Sequence, residues 1–592
     1  MTDFSKQKVA TAVDNRSKLD VSSTHITTQS FMQSQPVYYR HMLPGETIQG
    51  QGNVLTRLAP VAVPSYGRCR VNMRAFFVPF RTIMPHWNDF IGDTIATSYT
   101  DASLVSKSPV ISNDAFIVTI INGSYFGQNL CDELTTWSVG DPYDFYFNTK
   151  HYAYTYWGRL YKKIWESLGY KIIWENKDDL LWSALPLLAY LRIYADWYSS
   201  QAYASTATYL AAMKLFSFNN PTTNLQISSS DLNVIMPFIA VCCYDNGNDV
   251  YTNAWDKPIA PNDSIYSTFQ ASDITAATNA AYVTFDSSGT PYMTQQLASS
   301  TGIGTTYIHQ MLRAVTDYVK RNQLAGARAV DRYLARFGIN LDSAKVNRSI
   351  YVASQSVDVD FGSVMQTVNT ASVGQDSNLG DYAGQGLGRG QLGFDFHTDE
   401  YGMFIVVASV IPAASIYQGF DRNNLHIDKT DFWTPEFDSL GVQVVDKGEV
   451  YVSRNSGFAN TPEDYKGVFG YAPRYYEYKQ GRDFVTGDFV SEFAINGGDA
   501  WHLCREFDDA SFGGFISGLN HSVNFVRGTD AKTYDRIFNY TGGDYDCFYN
   551  VYHFAVQSTA PCKSLFDTYD FEEAGKQITM SSNSPLAVIL IS

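Results

Sequence analysis

The charged residues with the clearest chemical use are a run of basic side chains between positions 311 and 348. That run holds eight Lys and Arg against three Asp, in a chain whose formal net charge is −16. Arg328, Arg332 and Arg336 recur every fourth residue, so they form one stripe along a helix. Cationic groups at this spacing can neutralise phosphates, which predicts contact with the backbone of a nucleic acid. The candidates for that contact are Arg313, Lys320, Arg321, Arg328, Arg332 and Arg336.

A solvated helix face explains the same basic stripe without any ligand. Asp317 and Asp331 lie within about one helical turn of these basic residues, where they can form surface ion pairs. The opposite stripe is apolar, and Gly338 supplies a stop at the end of the helix. Taken alone, the residues favour the solvated face, and the phosphate contact remains the alternative.

Sequence motifs of catalysis and cofactor binding do not occur in this chain. There is no HExxH, GxSxG, Walker loop or paired CxxC. Gly384, Gly386 and Gly388 lack the strand and helix of a dinucleotide site, so a flexible glycine loop is predicted. Asp245 and Asp249 stand in a DNGND stretch without the distant Glu of a calcium loop, which indicates a turn. We therefore predict no enzyme and no cofactor, with these two aspartates as weak metal candidates.

Composition indicates a globular protein with a large core. The chain has 592 residues, of which 45% are hydrophobic and 17% charged, and its 41 Tyr and 37 Phe suit either a β core or a protein interface. An odd number of cysteines, seven, predicts folding in a reducing cytoplasm without a disulfide framework. The apolar run 403–416 is too short for a membrane span and contains Ser409 and Pro412, so no membrane insertion is expected.

Short strands dominate the pattern along the chain. Residues 1–35 are polar and predict an extended arm with little core of its own. Residues 151–200 predict helix, with Pro186 in a first turn, whereas 201–308 is poor in charge and reads as an insertion. Inserted helices, many strands and long connections favour a β-sandwich or jelly roll over a doubly wound α/β fold.

The segment 66–91 combines arginines, aromatic rings and prolines. Pro79 and Pro85 interrupt any long regular element, so no single strand or helix is expected to bury all four rings of positions 76–90. Exposed rings of this size favour association. We therefore predict that these rings pack against another copy of the chain. The four rings are Phe76, Phe77, Trp87 and Phe90.

Five blocks of sequence follow one another between about residues 37 and 490. The first runs from LPGETIQGQGNVLTRLAPVAVP to FFVPFRTIMPHWNDF, and the others are LPLLAYLRIYADWY, AGARAVDRYLARFGI, TDFWTPEFDSLGVQ and FGYAPRYYEYK. Together they resemble the major capsid proteins of the Microviridae, particularly the gokushovirus-like branch. Departures from the family pattern are Glu46, Phe80 and Ala325, and the correspondence is weak in 200–308. The matching positions include Pro44, Gly45, Thr47, Arg57, Ala59, Pro60, Pro64, Phe76, Phe77, Val78, Pro79, Arg81, Trp87, Phe90, Leu185, Pro186, Tyr190, Ile193, Gly470, Tyr471, Arg474, Tyr475, Glu477 and Tyr478.

The resemblance implies a mainly β fold: a single eight-stranded antiparallel jelly roll, or viral β-barrel, with long inserted loops and a few helices. In this division, 1–35 is the arm and 36–592 a single jelly-roll capsid domain. Within that domain, 201–308 is a surface insertion and 309–338 a basic helical segment. The resemblance also adds to the interface candidates, which become Phe76, Phe77, Arg81, Trp87, Phe90, Tyr471, Arg474 and Tyr475.

The function implied is that of the major capsid protein of a small icosahedral bacteriophage. It would self-assemble into a T=1 shell around circular single-stranded DNA in the host cytoplasm and remain in the virion. The implied partners are other copies of the chain, the DNA, a small basic DNA-binding protein, a minor or pilot capsid protein, and a host cell-surface receptor reached through the insertion. The alternative is a carbohydrate-binding or carbohydrate-active β-sandwich protein, which also explains abundant Tyr and Trp.

Overall fold

We describe the protein from a computed structural model of the chain. The described residues are 16–61, 63, 65–84, 87–92, 108–125, 128–134, 144–148, 150–174, 180–198, 226–233, 250–254, 282–285, 291–294, 338, 348–365, 370–372, 375–377, 382–413, 416–427, 429, 431–435, 437–438, 442–452, 465–490, 498–506, 536–538 and 546–562. Every structural statement below refers to these residues.

Strands form most of the regular structure. In chain order they are β1 (Ser17–Asp20), β2 (Ser23–Gln29), β3 (Ser34–Met42), β4 (Glu46–Leu58), β5 (Cys69–Pro79), β6 (Val110–Ser112), β7 (Ser124–Tyr125), β8 (Gln128–Asn129), β9 (Cys131–Leu134), β10 (Asp144–Phe147), β11 (Lys150–Tyr154), β12 (Leu181–Ser183), β13 (Gln226–Ile227), β14 (Tyr282–Phe285), β15 (Pro291–Thr294), β16 (Ile350–Met365), β17 (Thr370–Ser372), β18 (Gln375–Ser377), β19 (Tyr382–Thr398), β20 (Gly402–Pro412), β21 (Val442–Asp446), β22 (Val468–Pro473) and β23 (Phe548–Ala560).

Helices are short and are inserted between strands. They are α1 (Phe80–Ile83), α2 (Trp87–Gly92), α3 (Asn113–Asn122), α4 (Tyr156–Ser167), α5 (Leu185–Ile193), α6 (Val250–Asn253) and α7 (Lys447–Val450), with a π-helix at Tyr194–Tyr198 and 3₁₀ turns at Arg422–Leu425, Tyr476–Tyr478, Gly487–Phe489 and Gly498–Trp501. Helix α5 is buried along its whole length and has Pro186 in its first turn, as the sequence predicts. The mainly β, antiparallel prediction is confirmed.

One large sheet organises the described chain. Its strands follow the order β1-β23-β4-β19-β16-β5-β20-β3, with β2 also paired to β23, and all of these ladders are antiparallel. The long strand β16 joins two halves, because residues 350–359 pair with β5 and residues 360–365 pair with β19. No described ladder closes this sheet into a barrel.

The two ends of the sheet nevertheless come together at a buried corner. Strands β2 and β3 lie at opposite ends of the strand order and are separated by only residues 30–33. Gln29 is fully buried there: its amide nitrogen donates to the Ala408 carbonyl of β20 at 3.2 Å, while its oxygen accepts from the Tyr552 hydroxyl of β23 at 2.7 Å. One amide thus bonds strands from both halves, and the sheet is curled around the core.

The arm predicted at 1–35 takes part in this corner. Its described residues form β1 and β2, which pair along β23. Phe31 and Met32 are buried in the main core, and the Met32 amide donates to the Val410 carbonyl. The later part of the segment therefore contributes to the core instead of lying outside it.

The glycine-rich stretch at 383–393 is a strand, so the predicted flexible loop is wrong. These residues belong to β19, where the side chains of Val359 and Val357 on β16 lie directly over Gly388 and Gly390. A Cβ at Gly390 would lie 1.9 Å from Val357 Cγ2, and one at Gly52 in β4 would lie 2.5 Å from Phe554 Cε1. Glycine is needed here for close approach across the ladder, and not for flexibility.

Candidate assembly surface

Two of the predicted interface rings lie in the core of the subunit. Phe76 and Phe77 are consecutive residues of β5 and point to opposite faces of it. The Phe76 ring packs 5.9 Å from Trp197 in the π-helix, and the Phe77 ring packs 5.0 Å from Phe396 in β19. Both side chains are at most 1% exposed, so no ring surface remains for another copy. The expectation that these two rings lie at an interface is wrong, because both faces of β5 are covered.

Trp87 and Phe90 pack at the end of the sheet, after the strand has ended at Pro79. The Trp87 ring lies 4.7 Å from Phe80 and 5.6 Å from Phe90, and Trp87 is only 9% exposed. Arg81 forms two bonds to Glu400, with Nε–Oε2 at 2.6 Å and Nη2–Oε1 at 3.2 Å. A bidentate pair of this kind fixes the position of α1 within the subunit. Phe90 is half-buried and retains some exposed surface.

The fourth and fifth sequence blocks, TDFWTPEFDSLGVQ and FGYAPRYYEYK, are bonded to each other. Gln443 accepts a hydrogen bond from the Tyr475 amide at 2.8 Å and donates to Glu477 at 2.7 Å. Tyr475 adopts φ 60°, a left-handed conformation that costs energy for a residue with a Cβ, and the Gln443 bond holds it there. Arg474 covers the rings of Phe437 and Tyr475, each at 5.1 Å. The two blocks therefore form one structural unit.

A buried carboxylate joins this unit to α7. The Glu449 side chain has no exposed surface; its Oε1 accepts from Arg422 Nη1 and from the Asp446 amide, each at 2.9 Å, and its Oε2 accepts from the Tyr476 hydroxyl. Burial raises the pKa of Glu449, against the opposing effects of the Tyr476 hydrogen bond and the Arg422 charge. With both oxygens bonded, the network is a rigid base for the surface above it.

Large apolar side chains are exposed on that unit and on the segments next to it in sequence. Of the twenty exposed large apolar side chains among the described residues, nine lie between 427 and 489. Phe432 is 52% exposed, Trp433 46% and Phe484 70%. We call this set the aromatic surface. Its members are Ile427, Phe432, Trp433, Phe437, Val452, Val468, Tyr478, Phe484 and Phe489.

Ring contacts order parts of the aromatic surface. His426 stacks on Tyr478 with centroids 5.5 Å apart and lies 5.4 Å from Phe432. Its Nε2 is 3.3 Å from Glu477 Oε1, so the imidazole is held between the polar network and the exposed rings. In a second group, the Phe489 ring lies 6.4 Å from Tyr66, which is 73% exposed. These rings are positioned before any partner binds.

The remaining predicted site residues divide into two groups. Tyr475 is buried, while Tyr471 and Arg474 are half-buried within the unit. The six DNA-facing candidates, Arg313, Lys320, Arg321, Arg328, Arg332 and Arg336, lie outside the described residues, as do Asp245 and Asp249. Within the described ranges, no His, Cys, Asp or Glu side chains assemble into a metal-binding group of three.

Two further properties concern the cysteines and the helices of the described part. Cys69, Cys131, Cys504, Cys547 and Cys562 carry free thiols there. None of the helices in the described ranges combines the length and apolar character that a membrane span needs.

Sequence reasoning missed most of the aromatic surface, although the signal was present. TDFWTPEFDSLGVQ and FGYAPRYYEYK each combine several rings with prolines and charged residues, as 66–91 does. Exposure separates the segments: β5 is covered on both faces, whereas Phe432 and Trp433 follow a 3₁₀ turn and remain open. Aromatic content alone cannot distinguish a core strand from a surface loop.

Comparisons with known proteins agree on one family. Residues 7–118 and 161–556 match the family described as Capsid protein (F protein). The chain is 23% identical over 513 residues to capsid protein VP1 of Bdellovibrio phage phiMH2K, covering 83% of this chain and 85% of the relative. It is 24% identical over 557 residues to capsid protein VP1 of Chlamydia phage 1, covering 84% and 88% respectively.

These matches confirm the resemblance noted from the five sequence blocks. They give no support to the carbohydrate-binding alternative. The relatives are structural proteins of phage capsids, which places this chain in a virion. Since the two matched segments make up most of the sequence, the chain belongs to the Capsid protein (F protein) family of the Microviridae.

Proposed function

We propose that this chain is the subunit of a closed T=1 icosahedral shell that encloses a circular single-stranded DNA genome. Family membership supports a capsid role, and the aromatic surface carries the proposal that copies associate through residues 427–489. Fully burying one large apolar side chain is worth about 1.5–3 kcal/mol, so several such side chains favour association strongly. The protein acts by assembly, without catalysis and without a cofactor.

The composition of the aromatic surface suits a protein partner better than water. Interface cores are enriched in Tyr, Trp, Phe and Arg and poor in other charged residues. Phe432, Trp433 and Tyr478 supply the rings, with Arg474 stacked beside them on Phe437. Because the Glu449 and Gln443 networks already hold these segments, little conformational entropy is lost when a neighbour binds.

A single jelly roll is the architecture we propose for the main sheet. Without the short β1, its eight strands are β2, β3, β4, β5, β16, β19, β20 and β23. One half of the sheet has the order β2-β23-β4-β19, which are the first, eighth, third and sixth of these strands. The other half has the order β16-β5-β20-β3, which are the fifth, fourth, seventh and second. This is the order that two Greek keys produce in a jelly roll. The corner at Gln29 would close the roll.

The other parts of the proposal concern partners. Residues 201–308 form a surface insertion that contributes to attachment at a host receptor, and 309–338 form a basic helix facing the genome. The stripe of Arg328, Arg332 and Arg336 would neutralise phosphates without reading sequence. A small basic DNA-binding protein and a pilot protein would complete the particle, which assembles in the host cytoplasm. Substituting the three arginines by Gln should reduce genome packaging while empty shells still form; normal packaging in that variant would contradict the stripe's role.

Sedimentation and negative-stain imaging of the full chain test the assembly proposal. We expect closed shells from the wild type and mainly subunits or small oligomers from a Phe432→Ser/Trp433→Ser variant. A matched control is Ile173→Ser/Leu181→Ser, since these apolar side chains are similarly exposed, at 43% and 39%, outside the aromatic surface. The proposal fails if the first variant assembles as well as the control.

A further inference from the structure

One half of the main sheet has an open outer face. Strand β20 is buried at every position, and α4 and α5 pack on the half of the sheet that contains β3, β5 and β20. In β23 and β4, by contrast, buried positions generally alternate with exposed or half-exposed ones. The exposed side chains on β4, β19 and β23 therefore share one face that no described helix covers.

The register brings three rows of side chains together on that face. Arg57 of β4 lies between Tyr549 of β23 and Leu387 of β19. In the next row, Leu55 of β4 lies between Val551 of β23 and Arg389 of β19. In the third row, Asn53 lies between His553 and Gln391 on the same strands. We call these nine residues the open sheet face. They comprise two guanidinium groups, one phenol, two amides, one imidazole and three apolar side chains.

Neither arginine on the open sheet face forms an ion pair with an acidic residue in the described ranges. Arg81 and Arg422 are ion-paired within the subunit, whereas Arg57 and Arg389 are exposed and make no ion pair or hydrogen bond with a described residue. The carboxylate further along the same face of β19, Asp395, accepts a hydrogen bond from Gln49 at 2.9 Å. In a chain with a net charge of −16, these two neighbouring guanidinium groups thus form no ion pair within the described part of the structure.

We propose that the open sheet face binds single-stranded DNA. The inference rests on the proposed function, since the shell must enclose such a polymer, and it adds a contact surface distinct from the basic segment at 309–338. Arg57 and Arg389 would neutralise phosphates. The Tyr549 side chain, which is 43% exposed and lies on the side of Arg57 nearer to β2, would stack on a base. Asn53 and Gln391 offer amides to base edges. A sheet face whose exposed rings stack on unpaired bases is a known arrangement in proteins that bind single-stranded RNA.

The test measures binding of a fluorescent mixed-sequence DNA 20-mer to the full chain by anisotropy across a salt series. Arg57→Gln/Arg389→Gln should weaken DNA binding about tenfold or more at low salt. It should also reduce the magnitude of the slope of log K against log salt concentration by about 1.4, because each lost phosphate contact accounts for about 0.7. Tyr549→Leu should weaken binding with the salt slope unchanged. The control, Lys150→Gln/Lys171→Gln, removes two exposed charges elsewhere and should leave both quantities unchanged.

Negative-stain imaging of the same variants separates this inference from the proposed function. DNA binding by Arg57→Gln/Arg389→Gln that equals the control overturns the inference, and if shells still form, the assembly proposal stands. Loss of shells with unchanged DNA binding overturns the DNA-binding inference and indicates that the open sheet face contacts another copy. Reduced DNA binding with intact shells supports the DNA-binding inference. A wild type that binds the 20-mer but never assembles contradicts the proposed function alone.

Discussion

Replacing Lys163 by Met tests how the corner between β2 and β3 is held. The Lys163 ammonium on α4 donates to Asp546 Oδ2 at 2.7 Å, to Gln33 Oε1 at 3.0 Å and to the Thr28 carbonyl at 3.1 Å. It therefore connects α4 with the end of β2, the β2–β3 connection and the residues just before β23. Methionine keeps most of the side-chain volume and removes all three bonds.

The size of the effect follows from burial. Breaking a buried ion pair costs about 3–5 kcal/mol because the remaining charge is left uncompensated. The Lys163 and Asp546 side chains are 19% and 17% exposed, and Asp546 keeps bonds from Thr28 and Ser30, so we expect the lower end, about 3 kcal/mol. The exposed pair of Lys150 and Glu133, at 52% and 49%, provides the control, where Lys150→Met should leave the free energy of unfolding nearly unchanged.

Urea unfolding of the full chain, followed by tryptophan fluorescence, measures both changes. A loss of about 3 kcal/mol makes the unfolding equilibrium over a hundred times less favourable to the native state, since about 1.4 kcal/mol is tenfold. The corresponding midpoint should fall clearly for Lys163→Met and hardly at all for Lys150→Met. Equal midpoints for the two variants would refute the idea that this buried pair anchors the corner.

Three further predictions concern the core, the glycines and acid stability. Phe77→Ala should cost about 3–5 kcal/mol of subunit stability, because it opens a cavity in a closed core; a stable subunit that only fails to assemble would contradict this. Gly390→Ala should lower the melting temperature through its clash with Val357, whereas Gly393→Ala, whose Cβ would meet no atom within 4 Å, should not. Burial would raise the pKa of Asp546, but Lys163 and two hydroxyl donors outweigh it and lower that pKa. The resulting stability is present above about pH 4 and is lost as pH falls through the folded pKa, so Asp546→Asn should be less stable near pH 6 and lose less on acidification; parallel urea midpoints from pH 6 to 3 would refute this.

Local sequence patterns were sufficient for several elements. The run LPLLAYLRI predicts α5, because apolar residues recur at helical spacing and Pro186 suits a first turn. Alternation of apolar and polar residues in much of 46–58 matches β4, in which nearly every second side chain is buried. In each case one element carries its own signal, so no distant contact is needed to recognise it.

Other features depend on contacts between distant parts of the chain. β2 pairs with β23, more than 500 residues later in the sequence, so a local reading of the polar segment 1–35 gives an arm. Burial of both Phe76 and Phe77 requires layers on each face of β5, and the strand character of Gly390 requires Val357 beside it. For the same reason, the exposure of Phe432 and Trp433 became visible only with the fold.

The most direct test of the assembly account is a cryo-EM reconstruction of particles formed by the full chain. The account predicts a closed icosahedral shell in which Phe432 and Trp433 are buried at the contact between neighbouring copies. Particles whose subunits touch through other surfaces, with these two rings open to solvent, would contradict it. So would a folded chain that stays monomeric in the presence of DNA and its partner proteins.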